Sequence, residues 1–255
     1  MSGDGAWIDL LAKLWAPFQT EAEPDARTVI DVSGRRRAWR IRFGGDKLLE
    51  GDDPWVLSGD LRYLMVQKAL ADARHLLGVH AAVVAQGEDG LVLAGASRAG
   101  KTTLALELIA RGWKLVSDDV AVLDPASGRL LPFLKPVSIK DAAAFRTYRA
   151  LWSVPAWMGE PQGPFLVPAT AFPVSDHKPH RPRWLAFVEL VPNSPNRLEG
   201  VSAAKAAVLL GRHLGRLDPT VLRATISMCG SALSATLVHD RTHTAADALE
   251  SFAST

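Results

Sequence analysis

Residues Gly95–Thr102 read Gly-Ala-Ser-Arg-Ala-Gly-Lys-Thr, a match to the phosphate-binding loop G-x-x-x-x-G-K-[ST]. Its flanks decide the fold. Leu91-Val92-Leu93-Ala94 before it is a short apolar run of the kind a buried strand uses. Thr103-Leu104-Ala105-Leu106-Glu107-Leu108-Ile109-Ala110 after it is a run of good helix formers. Strand, glycine loop and helix are the three parts the motif needs. The backbone N–H groups of such a loop face an anion, and the helix N-terminus adds its positive dipole end. The expected nucleotide-binding residues are therefore Gly95, Ala96, Ser97, Arg98, Ala99, Gly100, Lys101, Thr102 and Thr103. Lys101 supplies a full charge for the β- and γ-phosphates of ATP, and the Thr102 hydroxyl is a ligand for Mg²⁺.

One helix further on, Leu115-Val116-Ser117-Asp118-Asp119 reads as an apolar strand ending in two acids. Phosphoryl transfer needs one carboxylate on the metal and another group to receive the acceptor's proton. Adjacent residues of an extended chain point to opposite sides, so one acid can face Mg²⁺ while its neighbour faces the acceptor. The reading without chemistry is a solvent-exposed Asp-Asp turn. His80 opens the strand before the loop's own strand. Taken alone, a single histidine is more often structural than catalytic.

The rest of the chain surrounds this unit with further elements. Thr28–Val32 and Ala38–Phe43 alternate like strands joined through Ser33-Gly34, which predicts a β-hairpin. Leu61–Leu77 has helical periodicity with Ser58 or Asp60 as cap, and His80–Ala85 reads as a strand. Lys114–Leu123 reads as one strand, Leu185–Val191 and Leu233–His239 as two more. Ser202–Leu214 and Thr244–Phe252 read as helices, the last with Asp240 or Thr242 at its start. Residues 152–183, rich in Pro, Trp and Gly, predict a long functional loop. The loop is expected to cover the acceptor, with its basic cluster, His177, Lys178, His180, Arg181 and Arg183, binding acidic residues or transferred phosphate there. The alternative is a solvated charged face.

Composition narrows the class. The 255 residues suit one large domain, or one with an appendage, and 48% apolar residues supply a core. A net charge of +2 points away from a general nucleic-acid binder. One cysteine, Cys229, excludes an internal disulfide or a Cys-rich zinc site and fits a reducing cytoplasm. No apolar run reaches membrane-spanning length, and Met-Ser-Gly-Asp-Gly is not a secretory signal. Trp7, Ile8, Leu10, Leu11, Leu14 and Trp15 form an amphipathic stripe. Its plain reading is a helix packed on the domain; the sharper one is membrane or partner contact.

Three stretches together resemble the catalytic core of HPr serine kinase/phosphorylase: His80-Ala-Ala-Val-Val, Gly90 through the loop to Leu108-Ile-Ala-Arg-Gly112, and Trp113-Lys-Leu-Val-Ser-Asp-Asp-Val120. The resemblance is clear over residues 79–124. It continues weakly through Lys135-Pro-Val-Ser-Ile-Lys140 and Phe187-Val-Glu-Leu190. It implies an α/β P-loop domain of the phosphoenolpyruvate carboxykinase-like type over residues 58–255. Residues 1–57 would be an N-terminal helix and β-hairpin extension. It implies catalytic roles for Asp118 as proton acceptor, His80 beside the acid pair, and Lys101. It places Asp119 with Thr102 at the Mg²⁺. It also implies a cytoplasmic bacterial protein and a homo-oligomer, since the family forms symmetric assemblies. Three features depart from the family. Arg98 replaces a loop glycine, fewer than 80 residues precede His80, and the later Glu-x-Arg-Gly signature is reduced to Glu189-Leu-Val-Pro192. These point away from the phosphorolytic reverse reaction and from HPr as substrate.

Short relatives of this layout occur in bacterial clusters making ribosomal peptides. Among them are lasso-peptide tailoring kinases, which phosphorylate a C-terminal serine. The resemblance thus implies an ATP-dependent serine kinase whose partner is a peptide or small protein, with no nucleic acid and no membrane. Two alternatives stay open: a small-molecule kinase, and a non-catalytic nucleotide-binding regulatory module. No Asn-Lys-x-Asp supports a GTPase, and no Ser-Gly-Gly signature an ABC-type ATPase.

Overall fold

A computed structural model describes residues 3–18, 28, 30–35, 38–44, 47–151, 153–240 and 242–255. The chain begins with α1 (Gly3–Leu14), β1 (Ile30–Arg35), β2 (Ala38–Phe43), β3 (Lys47–Gly51) and α2 (Pro54–Asp72). Next come β4 (Leu77–Val79), β5 (Ala81–Gln86), β6 (Asp89–Ala94), α3 (Lys101–Ala110), β7 (Lys114–Ser117), β8 (Ala121–Asp124) and β9 (Arg129–Leu131). Then follow β10 (Val137–Ile139), α4 (Phe145–Tyr148), β11 (Phe165–Val167), β12 (Arg181–Leu190) and β13 (Arg197–Gly200). The chain closes with α5 (Ala203–Gly211), α6 (Pro219–Ser231), β14 (Leu233–His239) and α7 (Thr242–Ala253). These elements divide between two units, Met1–Asp72 with Lys135–Ala171, and Ala73–Leu134 with Phe172–Thr255.

In the first unit β1, β2 and β3 form an antiparallel sheet. Along β2, Trp39, Ile41 and Phe43 are buried while Ala38, Arg40 and Arg42 are exposed, the two-residue alternation of a half-buried strand. Helix α1 buries Trp7, Leu10 and Leu14, the i, i+3, i+7 stripe, and leaves Ile8 exposed. Trp7 meets Trp39 edge-on at 5.7 Å and also packs on Trp157. Burying each such side chain contributes roughly 1.5–3 kcal/mol, so the stripe is spent on its own unit.

Helix α2 starts at Pro54, ahead of the expected Leu61. Asp53 caps it, accepting from the N–H groups of Trp55 (2.7 Å) and Val56 (3.3 Å), with proline at the first helical position. Ser58 is no cap; buried within the helix, it donates to the Trp55 carbonyl. The helix ends at Asp72 because residues 77–79 leave it to pair with β8 as strand β4. The stretch expected to be a long loop also carries structure. Phe165–Val167 pairs antiparallel with β10, and Trp55 stacks edge-on against Phe145 and Phe165. Residue 152 lies outside the described residues.

The second unit is built on a mixed sheet of order β13-β14-β12-β6-β5-β7. Strand β12 runs parallel to both β6 and β14, whereas β5 is antiparallel to β6 and β7. The carboxyl ends of β6, β12 and β14 therefore share one edge, where ligands gather in open α/β sheets. Val83, Val92, Val116, Leu185 and Met228 belong to the core of this unit. Helix α6 was not expected from sequence. Asp218 caps it through Thr220 N–H (2.9 Å) and Val221 N–H (3.0 Å), Pro219 follows, and Val221, Thr225 and Met228 form its buried stripe. Helices α3 and α7 are joined by Arg111, which donates to Glu107, Asp247 and Glu250. The expected single strand 114–123 is two strands, with Asp118 and Asp119 in the bend between them.

Candidate active site

The glycine loop leaves the carboxyl end of β6, and both motif glycines are required by close contacts. A Cβ on Gly95 would lie 2.4 Å from the Val188 carbonyl oxygen of β12. A Cβ on Gly100 would lie 2.9 Å from two ring atoms of His239, and Gly100 sits at φ 88. Arg98 is also left-handed, at φ 67, where a side chain is strained and glycine is not. Helix α3 then begins with no side-chain cap. Among the described residues, the N–H groups of Gly100, Thr102 and Thr103 meet no carbonyl; the first such bond runs from Leu104 to Gly100. Open amides at the N-terminus of a ten-residue helix suit an anion.

Lys101 is buried at 6% exposure. Its ammonium donates to the carbonyls of Gly95 (2.8 Å) and Ala96 (2.9 Å) and to Nε2 of His80 (3.1 Å). A lysine only donates, so His80 Nε2 accepts and its proton is on Nδ1. That nitrogen lies 3.1 Å from the Asp119 carbonyl and 3.3 Å from the Asp119 carboxylate. His80 itself sits in the break between β4 and β5, not within a strand, held by its N–H bond to the His213 carbonyl at 2.8 Å.

The two acids diverge as expected, but for a different reason. They are not in extended chain: Asp119 is left-handed at φ 66, and Val120 N–H closes the bend onto the Asp118 carbonyl at 2.8 Å. Asp118, 2% exposed, accepts from the Thr102 hydroxyl at 2.8 Å, while Asp119 faces His80. Thr102 is thus hydrogen-bonded to Asp118 rather than to its expected companion Asp119.

Two histidines at this edge were not singled out from sequence. His213 holds the His80 backbone, and burial lowers its pKa, with His80 and Lys101 adding to the shift. His239 contacts the loop from below. Neither carries a sequence signal, because each reaches the loop region through chain reversals between distant elements.

The basic cluster lies elsewhere. Arg181 pairs with Asp89 at 2.8 Å, and Asp89 begins β6 whereas the loop follows its last residue. The two ends are roughly 17–20 Å apart along a strand of that length. Arg181 and Arg183, with Arg129, Ser227 and Met228, line an open cavity of about 360 Å³ at the far end of the sheet. The expectation that these arginines cover the acceptor is corrected; the Leu130–His180 bridge and the Arg181–Asp89 register pull the segment away. Buried His180 has its pKa lowered by burial.

Among the described residues no cluster of three or more His, Cys, Asp or Glu could hold a metal. That donor set suits a metal bound tightly by protein alone. Magnesium instead takes one or two carboxylates and completes its shell with phosphate and water. A threonine hydroxyl bonded to a buried aspartate, with a second aspartate adjacent, fits that requirement.

No protein-family model matches the sequence, and no curated protein matches it. Among solved structures the chain is similar to the Hpr(Ser) kinase/phosphatase from Coxiella burnetii, at 19% identity and a TM-score of 0.34. The match covers 69% of this chain and 93% of that one. No helix among the described residues is long and apolar enough to cross a membrane.

Proposed function

We propose that this chain is an ATP-dependent serine kinase of the HPr kinase-like P-loop type, acting on a peptide or small protein. The observation that supports it is the meeting of Lys101, Thr102, His80, Asp118 and Asp119 at the mouth of one glycine loop. The open amides of Gly100, Thr102 and Thr103 bind the phosphates. Lys101 leaves the Gly95 and Ala96 carbonyls to reach the β- and γ-oxygens. Thr102 and the acid pair hold Mg²⁺, which when bound offsets the charge of the triphosphate. One aspartate takes the acceptor hydroxyl proton, and His80 holds that acid's loop through its Nδ1–H. Catalysis is positioning plus electrostatics, with no covalent chemistry required of the protein.

The family resemblance gives the proton to Asp118 and the metal to Asp119. The Thr102–Asp118 hydrogen bond favours the reverse allocation, because the threonine hydroxyl and its acid partner form the usual metal pair of P-loop enzymes. Direct Mg²⁺ titration of Asp118→Asn and Asp119→Asn separates them. The variant that loses Mg²⁺ affinity names the metal ligand. The variant that keeps affinity and loses turnover names the proton acceptor.

The acceptor is tested with Mg·ATP against a panel of peptides bearing internal or C-terminal serine, beside free serine. Phosphoserine on peptides supports the reading. Phosphorylation of free serine alone would move the assignment to a small-molecule kinase. ATP binding with no phosphorylated product would move it to a regulatory module.

A further inference from the structure

His239 closes strand β14 and is 1% exposed. Its backbone is locked, in register with Leu190 of β12 and accepting from Val191 N–H at 2.9 Å. Its ring lies under the glycine loop. Nε2 is 3.1 Å from the Ala99 carbonyl, and since a carbonyl only accepts, Nε2 carries the proton and donates. The same ring is the wall that a Cβ on Gly100 would strike. One side chain thus acts on two adjacent residues of the turn into α3.

The consequence follows from peptide geometry. A trans peptide points its C=O and its N–H in opposite directions, and no cis bond occurs among the described residues. With the Ala99 carbonyl drawn inward to His239, the Gly100 N–H is turned outward, away from the sheet. That amide is one of those with no carbonyl partner among the described residues. Simple space-filling does not account for the residue. Nδ1 is buried with no hydrogen-bond partner among the described residues, a cost that leucine at the same place would not carry. The Ala99 bond is what an imidazole offers and leucine does not.

We propose that His239 is a positioning residue for the phosphate-binding loop, aiming the Gly100 amide through its hydrogen bond to Ala99. The inference rests on the nucleotide reading for its purpose, and on the Ala99 and Gly100 contacts for its geometry. Glutamine, whose amide nitrogen can stand near the position of Nε2, should replace it; leucine should not.

The test compares wild type, His239→Leu and His239→Gln by hydrogen exchange over residues 95–104 and by direct Mg·ATP binding. Losing one positioning bond should raise both loop exchange and the ATP Kd about 10-fold in the leucine variant. Exchange in β6 and β12 and kcat at saturating ATP should stay near wild type. His239→Gln should return both quantities to within about threefold. Should the leucine variant not fold, His239→Asn, too short to reach Ala99, takes its place. Wild-type exchange in the leucine or asparagine loop, or equal loosening in the glutamine variant, overturns the proposal. If wild type binds no Mg·ATP, the nucleotide reading falls, and the exchange data alone decide whether His239 orders the loop.

Discussion

Lys101 Nζ donates to His80 Nε2 at 3.1 Å, so the glycine loop and the turn before β5 meet in one hydrogen bond. The lysine is thereby satisfied inside its own loop, with two carbonyls completing its donors. A phosphate drawn to Lys101, as proposed, would compete with those acceptors and would leave His80 without its donor.

Replacing Lys101 by methionine keeps the stem packed and removes the charge with its three hydrogen bonds. Turnover should fall by at least about 100-fold, the loss typical of a preorganised charge stabilising a transition state. The far-ultraviolet circular dichroism should be unchanged. Near-normal transfer by Lys101→Met would show that the loop is not the phosphate site.

Arg98 occupies a left-handed conformation at φ 67, which glycine adopts without strain. Arg98→Gly should relieve roughly 1 kcal/mol of backbone strain and raise the thermal midpoint accordingly. Equilibrium unfolding in urea measures it. A destabilised variant would mean that the arginine side chain contributes more than the strain costs.

Gly95→Ala places a methyl 2.4 Å from the Val188 carbonyl, which belongs to strand backbone and has little freedom to move. The loop must lift off β12, so ATP binding should be lost while the remaining sheet holds. Gly200→Ala, where no atom lies within 4 Å and the backbone is not left-handed, serves as the control for an added methyl alone. Equal effects on ATP binding from the two substitutions would contradict the packing argument.

Burial lowers the pKa of both His180 and His213 below the ordinary value of 6.5. A histidine with a depressed folded-state pKa binds fewer protons when native. Its contribution is therefore present above about pH 6.5 and is lost as pH falls through the folded value. Unfolding midpoints should drop between about pH 7 and pH 5, and less so in His180→Gln and His213→Gln. A midpoint flat across that range would remove the burial argument.

The glycine loop and its helix are legible because sequence-local features build them: an apolar strand, two glycines at fixed offsets and a helix-forming run. Strand 233–239 is legible although its partners are distant, because its apolar and β-branched run marks it as strand whatever it pairs with. Helix α6 was missed although Asp218-Pro219 is a helix-start pair, because its buried residues are separated by polar ones. Leu77, the first residue of β4, reads as the end of a helix because it becomes strand only by pairing with β8. Asp118 and Asp119 stand out by type and spacing, but their hydrogen-bond partners do not. The bend at Asp119 that sends one acid to Thr102 and the other to His80 depends on left-handed backbone no residue pattern announces. Arg181 shows the limit most plainly: adjacency in sequence suggested a flap over the site, and strand register put it at the other end of the sheet.

The central claim is that this constellation moves a phosphoryl group. Its most direct test is a time course of γ-phosphate transfer from Mg·ATP to serine-containing peptides, run with wild type and with an Asp118→Asn/Asp119→Asn double variant. The account predicts phosphoserine formed by wild type and a rate at least about 100-fold lower in the double variant. Transfer that survives loss of both acids, or wild-type protein that labels no serine acceptor, would contradict it.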